Sequence, residues 1–240
     1  MDAPLRCDGR RGQVMPFSQE ARTRLEADAA EIIARYPRPR SALLPLLHLV
    51  QAEEGYVSSD GVAFCAAQLG LTDAEVTGVV TFYTMYRRRP GGEYNVGVCT
   101  NTLCAVMGGD AIFAGLTEHL GIGNHETTPD GKVTLERVEC NAACDFAPVV
   151  MVNWEFFDNM TPDSARALAD DLQAGRPVTP SRGPARLCTW REAARILAGF
   201  PDDQAADGPA AGPPALVGLK IAREHGWTAP AASNGGSEAS

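Results

Sequence analysis

Four cysteines in two close pairs constrain this chain more than any other feature. Cys99 and Cys104 lie in VCTNTLC, a C-x4-C spacing, and Cys140 and Cys144 lie in ECNAAC, a C-x3-C spacing. A fold that uses all four must bring two loops, 35 residues apart, to one place. Four thiolates at such spacings either close a tetrahedral shell around one metal ion or bracket a small iron–sulfur cluster. No histidine stands within two residues of any of them, which argues against mixed Cys/His ligation of the Rieske kind. No C-x2-C is present, so a thioredoxin-type redox pair is disfavoured as well.

The chain carries seven cysteines, an odd number that suits a disulfide framework poorly. Its first residues, MDAPLRCDGRRGQ, lack the apolar core of a secretory signal. No apolar run approaches the ~18 residues of a membrane span. The densest stretch, SALLPLLHLV, is broken by Pro45 and His48. These features predict a cytoplasmic protein with reduced thiols, where paired cysteines bind metal more readily than each other. The net charge of −9 is unevenly placed. Residues 91–180 hold 4 basic and 13 acidic groups, whereas 1–90 hold 11 of each and 181–240 hold 6 of each. Such a surface argues against a nucleic-acid role. It reads either as ordinary acidic solubility or as an acidic field around the cysteines that disfavours adding an electron to a nearby cluster, weakened over distance by salt.

Periodicity divides the chain into four parts. Residues 1–16 read as a disordered N-terminus. Residues 17–90 read as helical, with Leu25, Ala29, Ile32 and Ile33 on one face of a first helix, a second helix capped by Ser41, a third after Ser59, and a fourth opened by the capping box Thr72–Glu75. Residues 91–180 change period. EYNVGVC predicts a strand ending in Cys99, and LCAVMGGDAIFAGLTEHLG a helix weakened by Gly108 and Gly109. TTPDGKVTLERVEC predicts a turn and a strand that delivers Cys140. PVVMVN and WEFFD predict a hairpin, and Thr161–Pro162 the start of a last helix closed by Gly175. The order β-α-β, then β-β-α, is that of a thioredoxin-like core and not of a Rossmann repeat. Residues 181–240 predict a partly disordered C-terminal extension. It holds a capped helix at Thr189–Glu192, the linker PDDQAADGPAAGPPA and an apolar piece, ALVGLKIAREHGW.

On spacing alone zinc remains open, as zinc sites also use such pairs. The setting favours a cluster. Each pair sits where a strand ends, and its neighbours Thr100, Asn101, Thr102, Asn141, Ala142 and Ala143 are compact and can offer N–H groups. Cys65 reads as a buried small hydrophobe, Cys7 as part of the disordered end, and Cys188 as an idle thiol or one buried by a partner. His48 and His119 read as packed or surface residues. Trp190 and Trp227 read as either local packing or partner anchors. Gly121-Ile122-Gly123 begins a dinucleotide fingerprint but has Glu126 where the third glycine belongs, and no phosphate-binding loop is present. The chain therefore lacks its own nicotinamide or flavin motif.

The ordered set QAEEGYVS (51–58), VTFYTMY (80–86), VGVCTNTLC (96–104) and TTPDGKVTLERVECNAACDFAPVVMVN (127–153) resembles the small iron–sulfur subunit (NuoE type) of NADH:quinone oxidoreductase, respiratory complex I. The resemblance spans about residues 17–180. It implies an α/β protein, an N-terminal helical bundle followed by a thioredoxin-like ferredoxin domain. It implies one 2Fe-2S cluster on Cys99, Cys104, Cys140 and Cys144, with FMN and NADH on a partner subunit only. The expected partners are that flavin- and NADH-binding subunit and further complex I subunits, with no nucleic acid and no direct membrane insertion. The expected place is the peripheral arm on the cytoplasmic side of a membrane-bound complex. The chain is expected to be part of an enzyme yet not catalytic alone, with no catalytic residue of its own. Its potential is expected to be low, on the order of −400 mV. The diaphorase subunits of hydrogenases and formate dehydrogenases share the pattern, and a non-redox zinc assembly module is the contrasting alternative. Leu103 stands where the family often has proline before the second cysteine.

Overall fold

The computed structural model describes residues 17–202 and 213–228. The expected disordered ends, most of the Pro/Gly linker, and Cys7 lie outside the described residues. The first part is a helical layer. Helix α1 (Gln19–Ile33) starts at Ser18, whose hydroxyl accepts the Ala21 N–H at 3.1 Å. It buries Ala21, Leu25, Ala29 and Ile32, the inward stripe expected of an amphipathic helix. Helices α2 (Leu43–Glu54), α3 (Ser59–Leu69) and α4 (Asp73–Phe82) follow. The capping box at Thr72 and Glu75 forms as the sequence predicts. Ser41 does not cap α2. It falls in a 3-10 turn, Pro39–Ala42, and α2 begins at Leu43 with no side-chain cap. Pro45 then lies in the first turn of α2, where its missing N–H costs nothing.

Leu46, Leu47, Val50, Phe64, Cys65 and Val76 form the centre of this layer. His48 is packed among them, its ring 4.9 Å from that of Tyr86. Burial pushes its pKa down to about 4, so it is neutral near pH 7.

The second part is a five-stranded sheet in the order β2-β3-β1-β4-β5. Strands β1 (Tyr94–Cys99) and β3 (Val133–Val138) are parallel neighbours, with Cys99 opposite Val138. Strands β4 (Val150–Val152) and β5 (Glu155–Phe157) form the expected antiparallel hairpin beside β1, and β2 (Glu126–Thr127) flanks β3. Helices α6 (Gly109–Leu120) and α7 (Pro162–Gln173) pack Ile112, Leu116, Leu168 and Leu172 into one core with Val96, Val133 and Leu135. The helix expected after Cys99 is two helices. A short α5 (Thr102–Val106) ends before Gly108, which adopts a positive φ of 115°. Gly109 then packs so tightly that a Cβ there would sit 2.4 Å from the Cys99 carbonyl oxygen. The glycine pair thus lets α6 start against the first cysteine loop.

Residues 181–202 belong to the packed body. Helix α8 (Trp190–Leu197) lies against α2 and joins the helical layer to the sheet. Trp190 is buried, donates its indole N–H to the Gly55 carbonyl at 2.9 Å, and lies under the Arg87 guanidinium at 4.4 Å. Its backbone N–H bonds the Glu93 carbonyl at the entry to β1. Arg191 donates to the Glu53 and Glu54 carbonyls at 2.7 and 3.1 Å, satisfying groups that the end of α2 leaves open. Of the two readings of Trp190, local packing is the one observed. Helix α9 (Pro213–Glu224) buries none of its residues, and Trp227 beyond it is exposed. Among the described residues no helix is long and apolar enough to cross a membrane.

Trp190→Ala is expected to cost about 3–5 kcal/mol of stability, the range for truncating a buried large aromatic. Trp190→Phe should cost about 1 kcal/mol for the lost hydrogen bond and shape. Denaturant titrations of the two variants against wild type check the difference.

Candidate metal centre

Parallel pairing of β1 and β3 sets the site. Both strands end at the same edge of the sheet, so the loops that leave them start side by side. Cys99 is the last residue of β1, and Cys104 lies in α5, whose N-cap Asn101 accepts the Thr102 N–H at 2.8 Å. Cys140 follows β3 by two residues, and Cys144 opens the 3-10 turn Cys144–Phe146. The pairs differ in exposure. Cys99 and Cys104 are buried around Val149, with Val138, Phe146 and Phe156 packed against them, whereas Cys140 and Cys144 are exposed.

Backbone groups are aimed at the sulfurs. Val149 serves both members of the first pair: its carbonyl accepts the Cys99 N–H at 3.1 Å, and its backbone N–H favours the ionised form of Cys104. Ala142 donates its N–H to the Cys140 sulfur at 3.3 Å, from a backbone turned to a φ of 52°. Such a φ is uncommon for a residue with a Cβ. The Cys99 thiol donates to the Glu139 carbonyl at 3.0 Å. In the same loop, the Asn141 side-chain amide nitrogen is buried and has no hydrogen-bond partner. Buried donors are normally paired, so this one is available to a group seated among the cysteines.

The electrostatics state the same need. Burial pushes the Cys104 thiol up to about 11; the Val149 N–H opposes this, and Cys99 and Cys144 add to it. The Cys144 thiol is also raised, first by desolvation and then by Cys140 and Cys99. The two pairs are therefore within each other's field, and ionising them together is unfavourable without a cation between them. A metal centre removes that penalty and deprotonates coordinating thiols. Among the described residues, no three metal-ligating side chains converge on one point. The loops bring the pairs into mutual range but do not close them into an ion-sized shell. The donor set itself fits a 2Fe-2S group: four thiols, N–H donors at Ala142 and Val149, and the spare Asn141 amide.

Other residues fall outside the site. Cys65 is fully buried in the helical core, where burial pushes its thiol up to about 12. Cys188 is a buried free thiol. His119 pairs with Asp170 at 2.7 Å, joining α6 to α7. Glu126 accepts the Gly123 N–H at 2.6 Å, which closes the turn where a dinucleotide fingerprint would need glycine. Sequence reasoning missed Val149 and Phe146, since both act through tertiary contacts. The local signal was Pro148 between them, joined by a cis bond to Ala147.

The family model of the thioredoxin-like [2Fe-2S] ferredoxins matches residues 29–173, more than half of the chain, and the chain belongs to that family. It is 62% identical over 222 residues to an NADH-quinone oxidoreductase subunit (type E) of Mycobacterium tuberculosis, covering 91% of this chain and 87% of the relative. It is 40% identical over 149 residues to NADH-quinone oxidoreductase subunit 2 of Thermus thermophilus, covering 61% of this chain and 82% of that one. Among solved structures, an NAD+-reducing [NiFe]-hydrogenase matches with a TM-score of 0.51 at 20% identity over 56% of this chain and 23% of the hydrogenase chain, which shows the fold alone. The family decides the choice between zinc and cluster in favour of one 2Fe-2S cluster.

Serine at Cys99, Cys104, Cys140 or Cys144 is expected to bleach or shift the visible spectrum of the purified protein, because a softer ligand is lost. Serine at Cys65 or Cys188 should leave it unchanged. A bleached spectrum in folded Cys65→Ser protein would show the ligand set to be wrong.

Proposed function

We propose that the chain is the electron-transfer subunit of an NADH:quinone oxidoreductase, with one 2Fe-2S cluster held by Cys99, Cys104, Cys140 and Cys144. The observation that carries this reading is the joining of two cysteine loops at one sheet edge in a family of 2Fe-2S ferredoxins. The names of the relatives supply the enzyme. When bound, such a group takes up and gives back one electron at a time. The chain's own residues do the rest. Cys99, Cys104 and Val149 form a dry inner wall, Ala142 and Asn141 offer N–H groups, and Cys140 and Cys144 lie at the surface.

The proposed partner is a flavin- and NADH-binding subunit, because hydride oxidation needs a group that splits an electron pair into single electrons. Its docking face is the exposed apolar side of α5. Leu103, Val106 and Met107 are 43%, 80% and 56% exposed immediately around Cys104. An apolar patch beside a redox centre fits a partner surface that also excludes water. Helix α9, with Leu216, Val217, Leu219 and Ile221 exposed, is proposed to pack against the same complex. The assembly would form the peripheral arm on the cytoplasmic side of a membrane.

The purified chain alone is expected neither to bind NADH tightly nor to oxidise it. Adding the flavin-bearing subunit should make NADH reduce the chain's cluster. Val106→Glu should keep the spectrum and weaken that association by about tenfold or more, about 1.4 kcal/mol. NADH-dependent dye reduction by the flavin-free chain would overturn the division of labour.

A further inference from the structure

Arg182 lies beyond the family match and touches the cysteine-bearing loop. The segment before it adds a single antiparallel bridge to β5, between Phe156 and Arg182. Ser181 fixes that bridge twice: its N–H donates to the Phe156 carbonyl, and its hydroxyl accepts the Asp158 N–H, both at 2.8 Å. The Arg182 guanidinium then lies 3.8 Å from the centre of the Phe156 ring and 5.0 Å from that of Phe146. It is paired with Asp158 at 3.0 Å, and the two side chains are only 14% and 9% exposed.

The two rings are those packed against Cys99, Cys104 and Val149. Phe146 closes the turn that begins at Cys144, and its carbonyl accepts the Asn159 N–H at 2.8 Å, next to Asp158. One cation from the C-terminal extension therefore holds the wall of the inner cysteine pair and the loop of the outer pair together. Stacking of guanidinium on aromatic rings, with a carboxylate at the other edge, is a geometry that lysine cannot reproduce.

We infer that Arg182 and Asp158 form a charge-balanced clasp that positions the second cysteine loop and sets the field at the cluster. Arg182 is a positioning residue, and its role rests on the four-cysteine ligand set proposed above. The sign of the field follows from charge counting. Two ferric ions, two sulfides and four thiolates carry two net negative charges, and reduction adds a third. A nearby cation favours the reduced form and a nearby anion opposes it, more strongly where burial keeps water away. Removing Arg182 leaves Asp158 behind as an uncompensated anion; removing Asp158 leaves the cation.

The test is the midpoint potential of the cluster in the full-length holoprotein, followed by electron paramagnetic resonance of the reduced state. Arg182→Gln should lower the potential and release iron to a chelator about tenfold faster, as the clasp opens. Asp158→Asn should raise the potential. The double variant should return toward wild type. Arg182→Lys should restore the potential more than the release rate. The control is Arg176→Gln, which leaves the potential unchanged: Arg176, just past α7, pairs with Asp171 within it, at the helix end that Gln173 ties to Asp130 near the start of β3, opposite the cysteine loops. A merely structural role would move stability without opposite shifts in potential. If Arg182→Gln fails to load a cluster, Asp158→Asn still decides: an unchanged or lower potential overturns the inference. A wild-type chain that holds no cluster overturns the ligand set; a cluster-bearing chain whose potential ignores both residues overturns only the clasp.

Discussion

The parallel pairing of β1 with β3 is the constraint on which the site depends. Hydrogen bonding in register from Tyr94–Val133 to Cys99–Val138 leaves the two loops no choice of starting point. Side chains from distant parts of the sequence then meet without any loop having to reach far. The crossover that parallel pairing demands is α5 and α6, and its first turn carries Cys104. Sheet order therefore supplies both the second cysteine of one pair and the position of the other. The hairpin β4–β5 adds Val149 from the other side of β1, so that the inner pair is walled by strand backbone.

Gathering four thiols has an electrostatic cost that the fold meets unevenly. The inner pair is buried and braced by backbone, and the outer pair is exposed on a short irregular loop. A buried inner pair and an exposed outer pair suit the proposed centre, with the second loop lying over the first. The supports of that outer loop are Asn159, the Phe146 packing and the guanidinium of Arg182. Helix α8 contributes at longer range, since Trp190 and Arg191 tie the helical layer to the entry of β1. The C-terminal extension is thus part of the architecture up to residue 202, and among the described residues beyond it helix α9 exposes Leu216, Val217, Leu219 and Ile221.

Much of this was legible in the sequence because it is written in local chemistry. The boxes at Thr72 and Thr189 and the Thr161–Pro162 start give helix ends where they are observed, since capping needs only residues three apart. The ligand candidates and the β-α-β, β-β-α order were legible from spacing and period. The break between α5 and α6 was only hinted at by its glycines, as the close approach of Gly109 to the Cys99 carbonyl is a tertiary contact. The start of α2 was missed because a 3-10 turn absorbs Ser41. The contacts of Arg182 left no local trace: Phe156 lies in β5, Asp158 just after it and Phe146 in the turn after Cys144, all distant in sequence from Arg182.

An electron carrier and a structural ion would load the four cysteines with different elements. Iron, acid-labile sulfide and zinc measured together on protein purified without oxygen test the difference most directly. Two irons and two sulfides are expected for each chain, with a one-electron paramagnetic signal after dithionite and little zinc. Stoichiometric zinc, no sulfide and no visible absorption would contradict the electron-carrier role.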